Sequence, residues 1–295
     1  MSQPSPCNYV FCFLPPTRAV ILDLLPSYML PLETEEIILN LLAEDDDDDH
    51  SALKACSRVC QAFLPICRKH IFGSILLDAV APHTTRAFER LLRERPEIAD
   101  YIRRLDYTID VADLTSPSIQ ESLKRISKLE SLTVRYRGRS AHHITPGFNW
   151  SDNPIRPALL HLLHLPTLIQ FKVDNVRNFV VSDLIPCVNL KHLNVGIYTT
   201  GAAETTFPEA LPEHSIQLNE FVAEIGTGAA ITKLCTAQRP DARPLIDFGS
   251  LSKITMFLEK PDEGEAAREL FRRCQTLTDA RISCKGYLLH DHQYF

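Results

Sequence analysis

The chain repeats one short pattern, Leu-x-x-apolar-x-apolar, and that recurrence limits its fold more than any other feature. Clear copies are Ile102/Leu105/Tyr107, Leu129/Leu132/Val134, Leu168/Phe171/Val173, Leu190/Leu193/Val195 and Leu251/Ile254/Met256, with a weaker one at Leu277/Ala280/Ile282. The last two apolar places of each copy alternate with other residues, as they must when successive side chains of a strand point to opposite faces. Helical stretches precede several copies, at Thr85–Arg95, Pro117–Ile126, Pro154–His164 and Glu265–Cys274. Two of these open on Pro, whose fixed φ and missing N–H suit a first helical turn. Each unit reads as helix, turn, strand.

Successive copies start 27, 39, 22, 61 and 26 residues apart, and a degenerate copy at Leu218/Phe221/Ala223 divides the longest gap into 28 and 33. Most of those spacings lie near the leucine-rich-repeat range of about 20–29 residues. A single such unit cannot bury its apolar face, so neighbours must stack and place their strands side by side in a parallel sheet. The expectation for residues 80–295 is an α/β solenoid: a curved parallel sheet with helices on its outer side. Arg137–Trp150 and Thr199–Ser215 read as loops inserted between units.

Residues 30–75 differ. Ile37, Ile38, Leu41 and Leu42 form a stripe at helical spacing, behind Glu33, Glu35 and Glu36, whose carboxylates suit the positive end of a helix dipole. The like-charged run Asp45–Asp49 ends that helix. Ser51 can cap a second helix carrying Leu53, Cys56, Cys60, Phe63 and Cys67 at intervals of 3, 4, 3 and 4, and Pro65 fits the first turn of a third that ends near Phe72. Residues 1–29 show no clear period and read as an extension in which Ala19–Leu25 is the part suited to packing.

The segment Leu30-Pro31-Leu32-Glu33, continuing through Ile38 and Leu42 and resuming as Leu53-Lys54-Ala55-Cys56-Ser57-Arg58-Val59-Cys60-Gln61-Ala62-Phe63, resembles an F-box. The resemblance covers residues 30–72, and F-box followed by leucine-rich repeats is itself a family architecture. It implies a substrate-recognition subunit of a Skp-cullin-F-box ubiquitin ligase, non-catalytic, that binds a Skp-type adaptor and through it a cullin. The docking residues it implies are Leu30, Pro31, Ile38, Leu42, Leu53, Val59, Cys60 and Phe63. The alternative is a leucine-rich-repeat scaffold in which the F-box-like helices only cap the solenoid.

Target recognition is then expected on the concave strand face, at Arg104, Arg135, Lys172, His192, Asn194, Lys253 and Arg281. The rows these residues belong to read as five fixed cations against the single acid Asp106, which suggests an acidic or phosphorylated target held by Arg forks.

Catalysis and cofactors find little footing. No HExxH, GxxxxGK[ST] or GxSxG signature occurs, and a hydrolase or transferase with an unrecognised site is the remaining enzymatic alternative. Cys56, Cys60 and Cys67 share a helical face but lack the paired spacing of structural zinc, and read as packing residues. An EF-hand loop starting at Asp45 would need Gly and Glu where His50 and Cys56 stand. Gly226-Thr227-Gly228 lacks the third glycine of a dinucleotide fingerprint, its place being Ile231, and reads as a strand-to-helix turn. His161 and His164 lie one turn apart without further ligands. No cofactor or metal is expected.

Thirty-one basic against 37 acidic side chains give a net charge of −6, which argues against a nucleic-acid partner. Nine cysteines without a CxxC pair, and no Lys or Arg before Arg18, point to a reducing compartment, cytosol or nucleus, with no membrane partner.

Overall fold

The computed structural model describes residues 32–45, 50–59, 61–79, 81–137, 148–202 and 212–284. It opens on three helices, α1 (Leu32–Asp45), α2 (Ser51–Val59) and α3 (Phe63–Ile71). Strands and helices then alternate: β1 (Ser74–Leu77), α4 (Pro82–Glu94), β2 (Arg104–Ile109), α5 (Pro117–Lys124), β3 (Ser131–Tyr136), the short β4 (Phe148–Asn149) and α6 (Arg156–Leu163). Next come β5 (Gln170–Asp174), the short β6 (Val176–Arg177), β7 (His192–Val195), the short β8 (Ile216–Gln217), β9 (Glu220–Ala223) and α7 (Gly228–Thr236). The short β10 (Ile246–Asp247), β11 (Lys253–Leu258), α8 (Pro261–Arg273) and β12 (Asp279–Cys284) complete it.

Eight strands form one sheet in the order β1-β2-β3-β5-β7-β9-β11-β12, every pair parallel. Strand order follows chain order, as stacked repeats require. The apolar places align in two rows: Leu105, Leu132, Phe171, Leu193, Phe221 and Ile254 in one, Tyr107, Val134, Val173, Val195, Ala223 and Met256 in the next. None of the twelve is more than 3% exposed. At about 1.5–3 kcal/mol for each large side chain buried, these rows contribute substantially to the domain's stability. Together with apolar residues from the connecting helices they make one continuous core.

Every strand motif, the degenerate copy included, is a strand of this sheet. The sheet also begins one unit earlier than the repeats indicate, because β1 pairs with β2 and sets Ile75 and Leu77 at the head of the two inner rows. Phe72 holds the place of the leading Leu. The shortest repeat, 22 residues, carries no α-helix between β5 and β7, only the short β6 and a 3₁₀ turn at Val181–Leu184. The stretch Arg137–Trp150 is not all loop: β4 pairs with β6, and Trp150 is wholly buried. Its residues 138–147 lie outside the described residues, as do the extension 1–29 and much of the second inserted loop.

The helical unit needs a second correction. Leu53 and Cys67 do not share one helix, since α2 ends at Val59 and α3 starts at Phe63. Pro65 has no N–H to continue a helix from Gln61 and stands instead in the first turn of α3. Leu39, Leu53 and Cys67 form the buried centre, with Leu42, Ala43, Cys56, Phe63, Ile66 and Ile71 packed against it. Thus Leu39, Leu42 and Ala43 face inward on α1, while Ile37, Ile38 and Leu41 face solvent.

Six described cysteines are free thiols. Burial pushes the Cys187 thiol far above its usual range and that of Cys235 up to about 12. The thiolate is the nucleophile, so a raised pKa removes reactivity. In the folded protein at about pH 8, iodoacetamide is expected to label exposed Cys284 while sparing Cys187 and Cys235, which peptide mass mapping with time resolves. Labelling of all three at one rate would show that the solenoid opens faster than alkylation.

Candidate functional site

Two surfaces stand out, on the helical unit and on the open face of the sheet. On the first, Ile37 is 58% exposed, Ile38 43%, Leu41 55% and Val59 75%, a large apolar display beside a centre of three fully buried side chains. The docking residues expected from the sequence divide here. Ile38 and Val59 lie on this surface, Leu42 and Phe63 are half-buried against the centre, and Leu53 is completely buried. Leu30, Pro31 and Cys60 lie outside the described residues. Ile37 and Leu41 belong to the surface although the docking motif did not include them.

The unit is joined to the solenoid without slack. Only Phe72 and Gly73 separate α3 from β1, and the Gly73 carbonyl accepts hydrogen bonds from the backbone N–H groups of Arg103 and Arg104. A Cβ at Gly73 would sit 2.5 Å from the Lys69 carbonyl oxygen, so the turn takes no other residue without moving. Arg68 of α3 also reaches Glu97 at 3.5 Å.

The second surface holds all seven residues expected for target recognition. In one row Arg104, Ser131, Gln170, His192, Glu220, Lys253 and Asp279 stand side by side; in the next are Leu76, Asp106, Thr133, Lys172, Asn194, Val222, Thr255 and Arg281. Arg135 and Asp174 pair in the row after.

The expected basic character does not hold. Each of the five cations meets a carboxylate: Arg104 to Asp106 at 3.4 Å, Arg135 to Asp174 at 3.7 Å, Lys172 to Glu224 at 2.9 Å, Lys253 to Glu220 at 2.7 Å and Arg281 to Asp279 at 3.5 Å. His192 Nδ1 also lies 3.3 Å from Glu220. Of these acids, Asp174 and Glu224 sit just past a motif, while Glu220 and Asp279 stand inside the two weakest copies, Leu218/Phe221/Ala223 and Leu277/Ala280/Ile282. The face is a ladder of matched charges.

Its centre is the least hydrated part. Lys172 and Glu224 are each 22% exposed, against 71% for Arg281. Burial, and after it the neighbouring Glu224, holds the Asp174 carboxyl above the usual carboxylate range, against the pull of Lys172 and Arg135. Glu220 is held below it, first by its hydrogen bond from Lys253 and further by His192. A depressed carboxylate favours the folded state above its unfolded pKa and loses that contribution as pH falls through the folded value. Apolar patches interrupt the ladder at Leu76, Val222 and Phe257, which the sequence pattern did not single out.

The remaining motifs resolve into structure. Gly226 has φ +81° in the turn between β9 and α7, a conformation glycine enters without strain. His161 Nε2 donates to the Ile126 carbonyl and His164 Nε2 to that of Asp183, at 3.1 and 2.9 Å. Among the described residues no group of three or more His, Cys, Asp or Glu could hold a metal ion, and no helix is long and apolar enough to cross a membrane. Compared with family models, curated proteins and solved structures, the chain matches none.

Proposed function

We propose that this chain is the substrate-recognition subunit of a ubiquitin ligase of the Skp-cullin-F-box type. The helical unit docks a Skp-type adaptor, which brings the cullin, and the open sheet face receives the protein to be ubiquitinated. The exposure of Ile37, Ile38, Leu41 and Val59 on so small a helical unit carries this reading, because several large apolar side chains left in water mark a partner surface. The target is taken to be a polar surface of mixed charge, since the ladder offers matched pairs rather than free cations.

Co-purification of the full chain with the adaptor tests the proposal. The double variant Ile38→Asp/Val59→Asp places charges in the desolvated contact and is expected to weaken the complex at least about tenfold, with an unchanged thermal melt. Leu42→Asp is unsuitable, because Leu42 packs on the unit's own centre. Equal recovery of adaptor by variant and parent would sink the reading.

Two observations favour a second reading, in which the unit is a cap for the first strand. The direct joint at Gly73 and the Arg68–Glu97 pair are what a cap requires. A folded chain that binds no adaptor at micromolar concentration would decide for the cap.

A further inference from the structure

The cations of the open sheet face are neutralised, but those of α4 are not. His83, Arg86, Arg90 and Arg93 are all exposed, and their spacing of 3, 4 and 3 sets them along one side of the helix. The opposite side, Thr85, Phe88 and Leu92, is buried in the solenoid. None of the three arginines has a hydrogen bond or ion pair to another described residue. Arg125 of the next repeat, exposed and donating from Nη1 to the Leu92 carbonyl at 2.8 Å, adds a further guanidinium near the end of the stripe. An unpaired arginine row on a chain of net charge −6 is a local reversal of sign.

We propose that the exposed side of α4 is a docking strip for an acidic segment of a partner protein. Charge complementarity sets the sign, and the planar guanidinium fork suits carboxylates. From His83 to Arg93 the helix rises about 15 Å, the length of about five residues of extended peptide. A lipid surface fits less well, since an interfacial helix needs an apolar side for the bilayer and that of α4 is already buried; none of the exposed large apolar residues lies on it. A polynucleotide fits less well too, because a single stripe about 15 Å long on a chain of net charge −6 offers no continuing track for a phosphate backbone.

The test uses the full chain and a fluorescein-labelled decapeptide of alternating Asp and Glu, followed by fluorescence anisotropy across a salt series; it contains no adaptor and so stands apart from the ligase reading. Saturable binding that fades with salt is expected. Arg86→Glu/Arg90→Glu/Arg93→Glu should weaken it at least about tenfold with an unchanged melt, while the corresponding triple Lys variant retains most of it. Arg268→Glu, an exposed charge on α8, should leave it as it was. The proposal is overturned by absence of binding at low salt, by equal binding of the triple Glu variant, or by preference for phosphatidylserine vesicles or an RNA oligonucleotide. Binding that appears only after Asp45–Asp49 are replaced by Asn would assign the strip to the chain's own acidic run, and overturns it as well.

Discussion

Asp183→Ala is expected to lower the unfolding free energy by about 3 kcal/mol, the lower end of what breaking a buried ion pair costs. Asp183 is 11% exposed and accepts from Arg156 Nη2 at 2.8 Å, while its other oxygen accepts from Trp150 Nε1 at 2.6 Å. Removing the carboxylate leaves the indole N–H of a fully buried ring without an acceptor and strands a half-buried guanidinium. Trp150 is the single tryptophan of the chain, so its fluorescence during urea unfolding reports both stability and the state of this cluster. Asp183→Asn keeps an acceptor for the indole but no charge for Arg156, and should lose about half as much. A loss under about 1 kcal/mol for the alanine variant would place the cluster with ordinary surface pairs and refute the assignment.

The same cluster shows where sequence reading stops. Strands were legible because the two apolar places of each motif recur at period two, which leaves one register that buries them in every copy but the last, where Ala280 and Ile282 are exposed. Nothing local marks Asp183 as the partner of Trp150 and Arg156, which lie 33 and 27 residues away, or Trp150 as core rather than loop. The open-face rows were legible for the same reason as the strands, but their net charge was not: Asp174 and Glu224 flank a motif, where alternation stops dictating direction, and Glu220 and Asp279 stand in the two weakest copies. On the helical unit the stripe was visible while its inward side was not, because Ile38 and Leu39 are adjacent and equally apolar. Packing against Leu53 and Cys67 selected Leu39. The arginine row of α4 was written in plain helical spacing, and only the absence of partners among the described residues distinguishes it from an ordinary solvated face.

Glu263→Ala should cost about 3–4 kcal/mol, because one buried carboxylate ties down two turns. Glu263 is 1% exposed at the start of α8, where its Oε1 accepts from the Gly226 N–H and its Oε2 from the N–H groups of Glu259 and Lys260. The first contact fixes the turn after β9, and the others cap the start of α8 by taking the backbone N–H of its N-cap residue Lys260 and of Glu259 before it. Alanine leaves all three donors without that acceptor. Glutamine keeps one carbonyl oxygen but turns an NH₂ group toward the remaining donors, so Glu263→Gln should rescue only one of the two turns. Hydrogen exchange locates the damage: the amides of Gly226, Glu259 and Lys260 should lose protection together in the alanine variant, while those of β2 and β3 keep theirs. Unchanged protection at Gly226 would show that the turn is held by other contacts. Glu224, two residues before Gly226, is the partner of Lys172 at the centre of the open face. A variant that loosens this turn should therefore weaken the target binding proposed for the face while leaving the adaptor binding proposed for the helical unit, at the β1 end of the sheet, as strong as before.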